Sequence, residues 1–129
     1  MKVLVDSSFL IHCAERGKDL IALAEERLGE KLECYLLEEV LEELRRLSAR
    51  RGRRAAMAST ALKIAEKMKL IKSHAEDLPT DEKLLQEAKR IQAAIATIDF
   101  ELIDKARERG IPILTVTRDL RIVFEGVRL

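Results

Sequence analysis

Short apolar runs alternate with stretches of helical period along this chain, and the runs stop at acids. Val3-Leu4-Val5 is the plainest case, bounded at once by Asp6-Ser7-Ser8. A run that short and that apolar reads as a buried strand, and the acid with its two hydroxyls reads as the start of a helix. Ala93 to Thr97 repeats the figure, with Asp99 and another helical stretch behind it. Strands separated by helices pair in parallel and bury both sheet faces. The pattern predicts one domain over 1–129, of α/β class: a three-layer α/β/α sandwich around a mostly parallel central sheet of about five strands.

The first strand covers residues 2–5. A helical stretch over about 8–28 carries Leu20, Leu23, Ala24 and Leu28 on one stripe, with Gly17 as a break and Gly29 as a stop. Residues 33–37 read as a second strand, after which Val40, Leu41, Leu44 and Leu47 recur as one helix face. Beyond Gly52 an Ala-rich helix is expected over about 55–70, with Leu62, Ala65 and Met68 or Lys69 toward its buried side, and then a short strand over 70–73. The loop over 75–80 ends in Thr80, a good N-cap, which sets Asp81 and Glu82 in a first helical turn where negative charge is favoured. Leu84, Leu85, Ala88 and Ile91 carry that helix inward. A fourth strand over 93–97, a helix over about 100–109 ending at Gly110, and a fifth strand over 112–116 follow. The tail, 121–129, is apolar at Ile122, Val123, Phe124 and Val127 and suits a terminal strand or hairpin.

In such a sheet the strand-to-helix junctions lie along one edge, so Asp6, Glu43, Asp81 and Asp99 converge there although they are far apart in sequence. Hard divalent cations take oxygen ligands and keep several waters, so a few carboxylates on rigid elements can hold Mg²⁺ or Mn²⁺. Metal ions so held clamp the attacking and leaving oxygens of a displacement at phosphorus and acidify a bound water, so no nucleophilic side chain is needed. Each acid alone has a plainer explanation: Asp81 and Asp99 as helix-start residues, Glu43 as part of a solvated face. The joint pattern tips the balance, above all Asp6 and Asp99 each behind a buried strand and beside Ser7, Ser8 and Thr97.

The stretches Val3-Leu4-Val5-Asp6-Ser7-Ser8-Phe9-Leu10-Ile11, Val40-Leu41-Glu42-Glu43-Leu44, Asp81 with its apolar followers, and Ala96-Thr97-Ile98-Asp99-Phe100-Glu101-Leu102 together resemble the PIN domain, over nearly the whole chain. That family comprises small metal-dependent ribonucleases, among them VapC-type toxins, ribosome-biogenesis endonucleases and many archaeal proteins. The resemblance implies an endoribonuclease that hydrolyses RNA phosphodiester bonds. Asp6, Glu43, Asp81 and Asp99 would be its catalytic acids, Asp6, Asp81 and Asp99 its Mg²⁺ or Mn²⁺ ligands, and Ser8 and Thr97 would support them. The residue before the fourth acid, often Asn in the family, is Ile98 here, which alters the hydrogen bonding behind the ligands. Helix phase decides between Glu42 and Glu43, and the apolar stripe beside it favours Glu43. Two other readings stand beside this one: a catalytically weak PIN-fold module that binds RNA or protein, and a toxin held by an antitoxin protein. A homodimer, common in the family, would use helix faces such as those of Leu20, Leu23 or Leu62, which equally suit the core.

The net charge of +1 gives no global field toward nucleic acid, so binding to a polyanion must come from local clustering. Arg45, Arg46, Arg50, Arg51, Arg53 and Arg54 supply the one marked charge block, with no acid among them. Next to Glu43, such a block suits bidentate contacts to an RNA backbone; a solvated helix end explains it equally well. Aromatic residues are scarce, so an extended base-stacking platform is not expected, and His12 and His74 lack partners at metal-ligand spacing. Ser8 stands where a dehalogenase-type phosphatase needs a second Asp, and no Lys-Pro follows the fifth strand as in a receiver domain. No stretch suits a signal peptide or a membrane span, which makes the cytoplasm the expected location. Cys13 and Cys34 read as small buried hydrophobes. The absence of Asn and the abundance of charge match proteins of hot environments, where pairing of the two cysteines becomes less implausible.

Overall fold

Val3, Leu4 and Val5 have no exposed surface, because the strand they form, β1 (Lys2–Val5), runs through the middle of the sheet. The computed structural model describes residues 1–74 and 77–126. After β1 come α1 (Ser7–Arg16), α2 (Leu20–Leu28), β2 (Glu33–Leu37), α3 (Glu38–Ser48), α4 (Arg53–Ala65), β3 (Lys69–Ile71), α5 (Thr80–Ile91), β4 (Ala94–Ala96), α6 (Phe100–Glu108), β5 (Ile113–Val116) and β6 (Ile122–Glu125). Six strands lie in the order β3-β2-β1-β4-β5-β6. The first five are parallel, and β6 folds back antiparallel on β5, so that Val116 faces Ile122 and Ile113 faces Glu125. Helices α1, α3 and α4 pack on one another, while α5 and α6 pack together against β1, β4 and β5, giving the α/β/α sandwich.

The sheet therefore has six strands rather than about five, the tail supplying the last. The stretch over 8–28 breaks where expected: Gly17 takes a left-handed conformation, φ 59°, and ends α1. The helix expected over 55–70 stops at Ala65, because Lys69, Leu70 and Ile71 are claimed by pairing with Tyr35, Leu36 and Leu37 of β2. Its buried stripe is Ala55, Ala58, Ala61 and Ala65, with Leu62 only half-buried and Met68 beyond its end. Small residues on that stripe let α4 lie close to α1 and α3. Leu20 belongs wholly to the core. Pro79 takes the N-cap expected of Thr80, which becomes the first residue of α5. Ala75, Glu76 and Val127, in the loop and tail of the sequence reading, lie outside the described residues.

Cys13 is buried, Cys34 is half-buried and both are free thiols, whose burial raises their pKa values to about 11. Among the described residues no helix is long and apolar enough to cross a membrane.

Candidate metal centre at the ends of β1 and β4

The chain leaves β1 to build one side of the sheet, β2 and β3, and returns to build the other side from β4. Between β1 and β4 the strand order reverses, and the carboxyl ends of strands at such a switch point border a crevice. Val5 pairs with Ala96, and the ladder runs one residue further, the Asp6 N–H donating to the Ala96 carbonyl at 2.9 Å. Asp6 is thereby set beside Thr97.

Asp6 takes the N-cap position of α1, yet its side chain makes no capping bond. Its Oδ2 instead accepts the hydroxyls of Ser8 at 2.6 Å and Thr97 at 2.9 Å. Each hydroxyl has one proton, so the 3.1 Å approach of the two oxygens reflects two donors converging on one acceptor. The same oxygens also accept: Ser8 Oγ takes the Ile98 N–H at 3.2 Å, and Thr97 Oγ1 takes the Asp99 N–H at 3.0 Å. Where Asn is usual in the family, Ile98 thus contributes its backbone, while its side chain packs on the core. Thr97, fully buried, ties Asp6 to Asp99. Oδ1 of Asp6 has no hydrogen-bond partner among the described residues and remains available to a ligand.

Asp99 does cap its helix, Oδ1 accepting from the N–H groups of Glu101 at 2.9 Å and Leu102 at 3.4 Å. Asp81 comes from the first turn of α5. Partial burial pushes its carboxyl above the usual range, and the negative charges of Asp6 and Asp99 push it further; Lys105 opposes them, and Glu101 adds to the push. Asp6, Asp81 and Asp99 therefore share one electrostatic neighbourhood, although they come from three elements. Glu43 lies to the side, half-buried on α3 and reached by the Ser7 hydroxyl at 3.4 Å. Its neighbour Glu42 is exposed and lines a different hollow with Lys72 and Lys83.

Among the described residues no three His, Cys, Asp or Glu side chains are drawn together as a finished metal site. The donor set still suits a hard divalent ion, because all donors are carboxylate oxygens and the mutual repulsion felt at Asp81 is what a cation would relieve.

Glu101 and Lys105 were not singled out in the sequence. Once α6 is known to start at Phe100 they stand four residues apart, on one face, beside Asp81. Arg45, Arg46, Arg50, Arg51, Arg53 and Arg54 are all exposed, along the end of α3, the α3–α4 corner and the start of α4. None of them forms an ion pair among the described residues, unlike Arg90, Arg107, Arg109 and Arg121. Arg53 and Arg54 border an open hollow with Ile11, Glu15 and Met57. Arg118 and Asp119 sit in the β5–β6 turn, where the Arg118 carbonyl accepts from Arg16 and Asp119 pairs with Arg121.

The family model described as "PIN like domain" matches residues 3–119. The chain belongs to the PIN-like family. Among solved structures, the PIN domain endonuclease Utp24 is similar at 26% identity and a TM-score of 0.76, over 98% of this chain and 92% of that one. A domain of a functionally unknown protein from Methanocaldococcus jannaschii shares the fold at 19% identity and a TM-score of 0.65, over 99% and 96% of the two chains. PAE2754 from Pyrobaculum aerophilum shares it at 22% identity and a TM-score of 0.56, over 81% and 79%. No curated protein matches the sequence.

Proposed function

We propose that this PIN-like domain is an endoribonuclease that hydrolyses RNA phosphodiester bonds with the help of Mg²⁺ or Mn²⁺ held by Asp6, Asp81 and Asp99. The observation that carries the reading is the tether from Asp6 through Thr97 to Asp99, with Asp81 repelled by both acids. Family membership and the likeness to the endonuclease Utp24 support a nuclease role. When bound, a divalent ion would supply charge neutralisation at phosphorus and a water acidic enough to attack. The chain's own part is to hold the ligands. The Ser8 and Thr97 hydroxyls fix the Asp6 carboxylate in one orientation, and the capping bonds fix Asp99. Glu43, which accepts from the Ser7 hydroxyl, would orient a water or a ligand. Lys105 offers a positive charge near Asp81, and the exposed arginines of 45–54 offer a grip on phosphates outside the crevice.

A second reading, an RNA-binding module with weak catalysis, is favoured by one observation: among the described residues the acids are not drawn together as a finished metal site. The test is cleavage of a short single-stranded RNA by purified protein with Mn²⁺ or Mg²⁺, alongside chelator and Asp99→Asn. Asn is as good an N-cap as Asp, so this variant keeps the helix start and removes only the charge. Metal-dependent cleavage lost in the variant is the expected result. RNA bound but left intact under every metal condition would sink the nuclease reading and leave the module.

A further inference from the structure

Phe100 is 82% exposed. The other three aromatic side chains are accounted for: Phe9 is wholly buried, Phe124 packs on the core, and the Tyr35 ring lies under the Lys69 ammonium with its hydroxyl on Glu33. An exposed phenyl forfeits its hydrophobic gain, and a single one is ordinary on a protein surface, so its position beside Asp99 is what carries weight. The ring is also held on a rigid base. Phe100 is the first residue of α6, directly after Asp99, and its backbone is gripped from both sides: the Asp99 N–H on Thr97, and the Glu101 and Leu102 N–H groups on the Asp99 carboxylate.

Asp99 and Glu101 beside it are exposed acids, and among the described residues the other exposed large apolar side chain, Leu70, lies on β3 at the far edge of the sheet. A protein-docking surface needs contiguous apolar area. A lone, rigid aromatic face beside a phosphate-handling crevice matches one base, because every base presents a π-face to stack.

We propose that Phe100 is a stacking residue that holds one unpaired base of a single-stranded RNA beside the scissile phosphate, so that the substrate is single-stranded at that nucleotide. The proposal rests on the ribonuclease reading above and adds to it the residue that holds a base of the substrate. Recognition then has two parts, with arginines gripping backbone on the α3–α4 corner and one ring positioning a base at the mouth of the crevice.

The chain has no tryptophan, so Phe100→Trp places a unique fluorophore at this point. With Ca²⁺ in place of Mg²⁺, a short single-stranded RNA is expected to quench that indole, while an RNA of equal length built from abasic sugars and a fully paired duplex are not. Phe100→Ala is expected to weaken single-stranded binding roughly tenfold, with Phe100→Trp restoring it. In cleavage, the loss appears in KM with kcat unchanged. Should Phe100→Ala bind and cleave as the unaltered protein does, with no quenching in Phe100→Trp, the stacking role is overturned while the ribonuclease reading stands, and the ring is left to a protein partner. If the unaltered protein binds no RNA at all, both fall together.

Discussion

The acid crevice and the arginine corner carry opposite charges and are built in opposite ways. In the crevice, Asp6 is buried at the end of the central strand, and its orientation is fixed by two hydroxyls that are themselves fixed by backbone N–H groups. At the corner, six arginines stand exposed on a helix end and a turn, with no ion pairs among the described residues. Like charges in a crevice must be held by a network, since repulsion would otherwise spread them. Like charges in water cost little and keep their reach. On the proposed reading, the difference separates two tasks: placing ligands within fractions of an ångström, and holding a flexible polyanion by its backbone.

The sharpest way to break that division is to remove one side at a time. Asp6→Asn is expected to cut metal-dependent RNA cleavage by roughly three powers of ten, the loss of several kcal/mol of transition-state stabilisation. RNA binding, followed by filter retention or polarisation, should survive it; a matching loss of binding would mean that the crevice is also the grip. Thr97→Val keeps the shape but leaves Asp6 with one donor fewer and the Asp99 N–H without its acceptor. It should lower metal affinity about 10- to 100-fold and stability by about 1–3 kcal/mol, read by calorimetry with and without Mn²⁺.

On the other side, Arg53→Ala with Arg54→Ala should leave kcat alone and reduce the slope of log affinity against log salt by about 0.7 per arginine on a single strand. Unfolding free energy should stay within about 0.5 kcal/mol, as for exposed residues without partners. Glu43→Gln against Glu42→Gln tests whether α3 takes part in the crevice: a loss of cleavage is expected for Glu43 and none for Glu42, and equal effects would place the helix only on the binding side.

The smallest effect concerns Asp81 in the metal-free protein. Its folded-state pKa is raised by burial and then by Asp6 and Asp99, so folding favours the protonated form. Ionising it therefore costs stability, in full above the raised value and not at all once the pH has fallen below the usual 3.8. In chelator at neutral pH, Asp81→Asn should be slightly more stable than the unaltered protein, solvent screening keeping the gain small, and the gap should close as the pH falls through that window. A divalent ion should stabilise the unaltered protein more than the variant. The opposite order at neutral pH would mean that Asp81 is not under strain.

Much of this arrangement was legible in the chain. β1 and β4 announce themselves because a strand buried on both faces must be apolar throughout, and each ends on a residue that breaks the run. The inward face of α3 was also open to the sequence, since Val40, Leu41 and Leu44 recur at helical spacing and are the residues it buries. What failed did so through competition between elements. The helix over 55–70 reads as continuous from propensity alone, yet β2 takes its last residues into the sheet. Asp6 looks like a helix cap locally, and only the neighbouring strand brings the Thr97 hydroxyl that, with Ser8, takes up its carboxylate.

The sequence by itself determined which residues must be inside, where the strands and helices change over, and that acids stand at those changes, because period and polarity are local properties of the chain. Only the tertiary structure decided which acids meet. Strand order put β4 beside β1 and so Thr97 beside Asp6, carried Asp81 into the field of two other carboxylates with Glu101 and Lys105 beside it, left Glu43 to the side, and kept one phenyl ring in water. Those outcomes depend on contacts across up to 91 residues of chain, which no local pattern encodes.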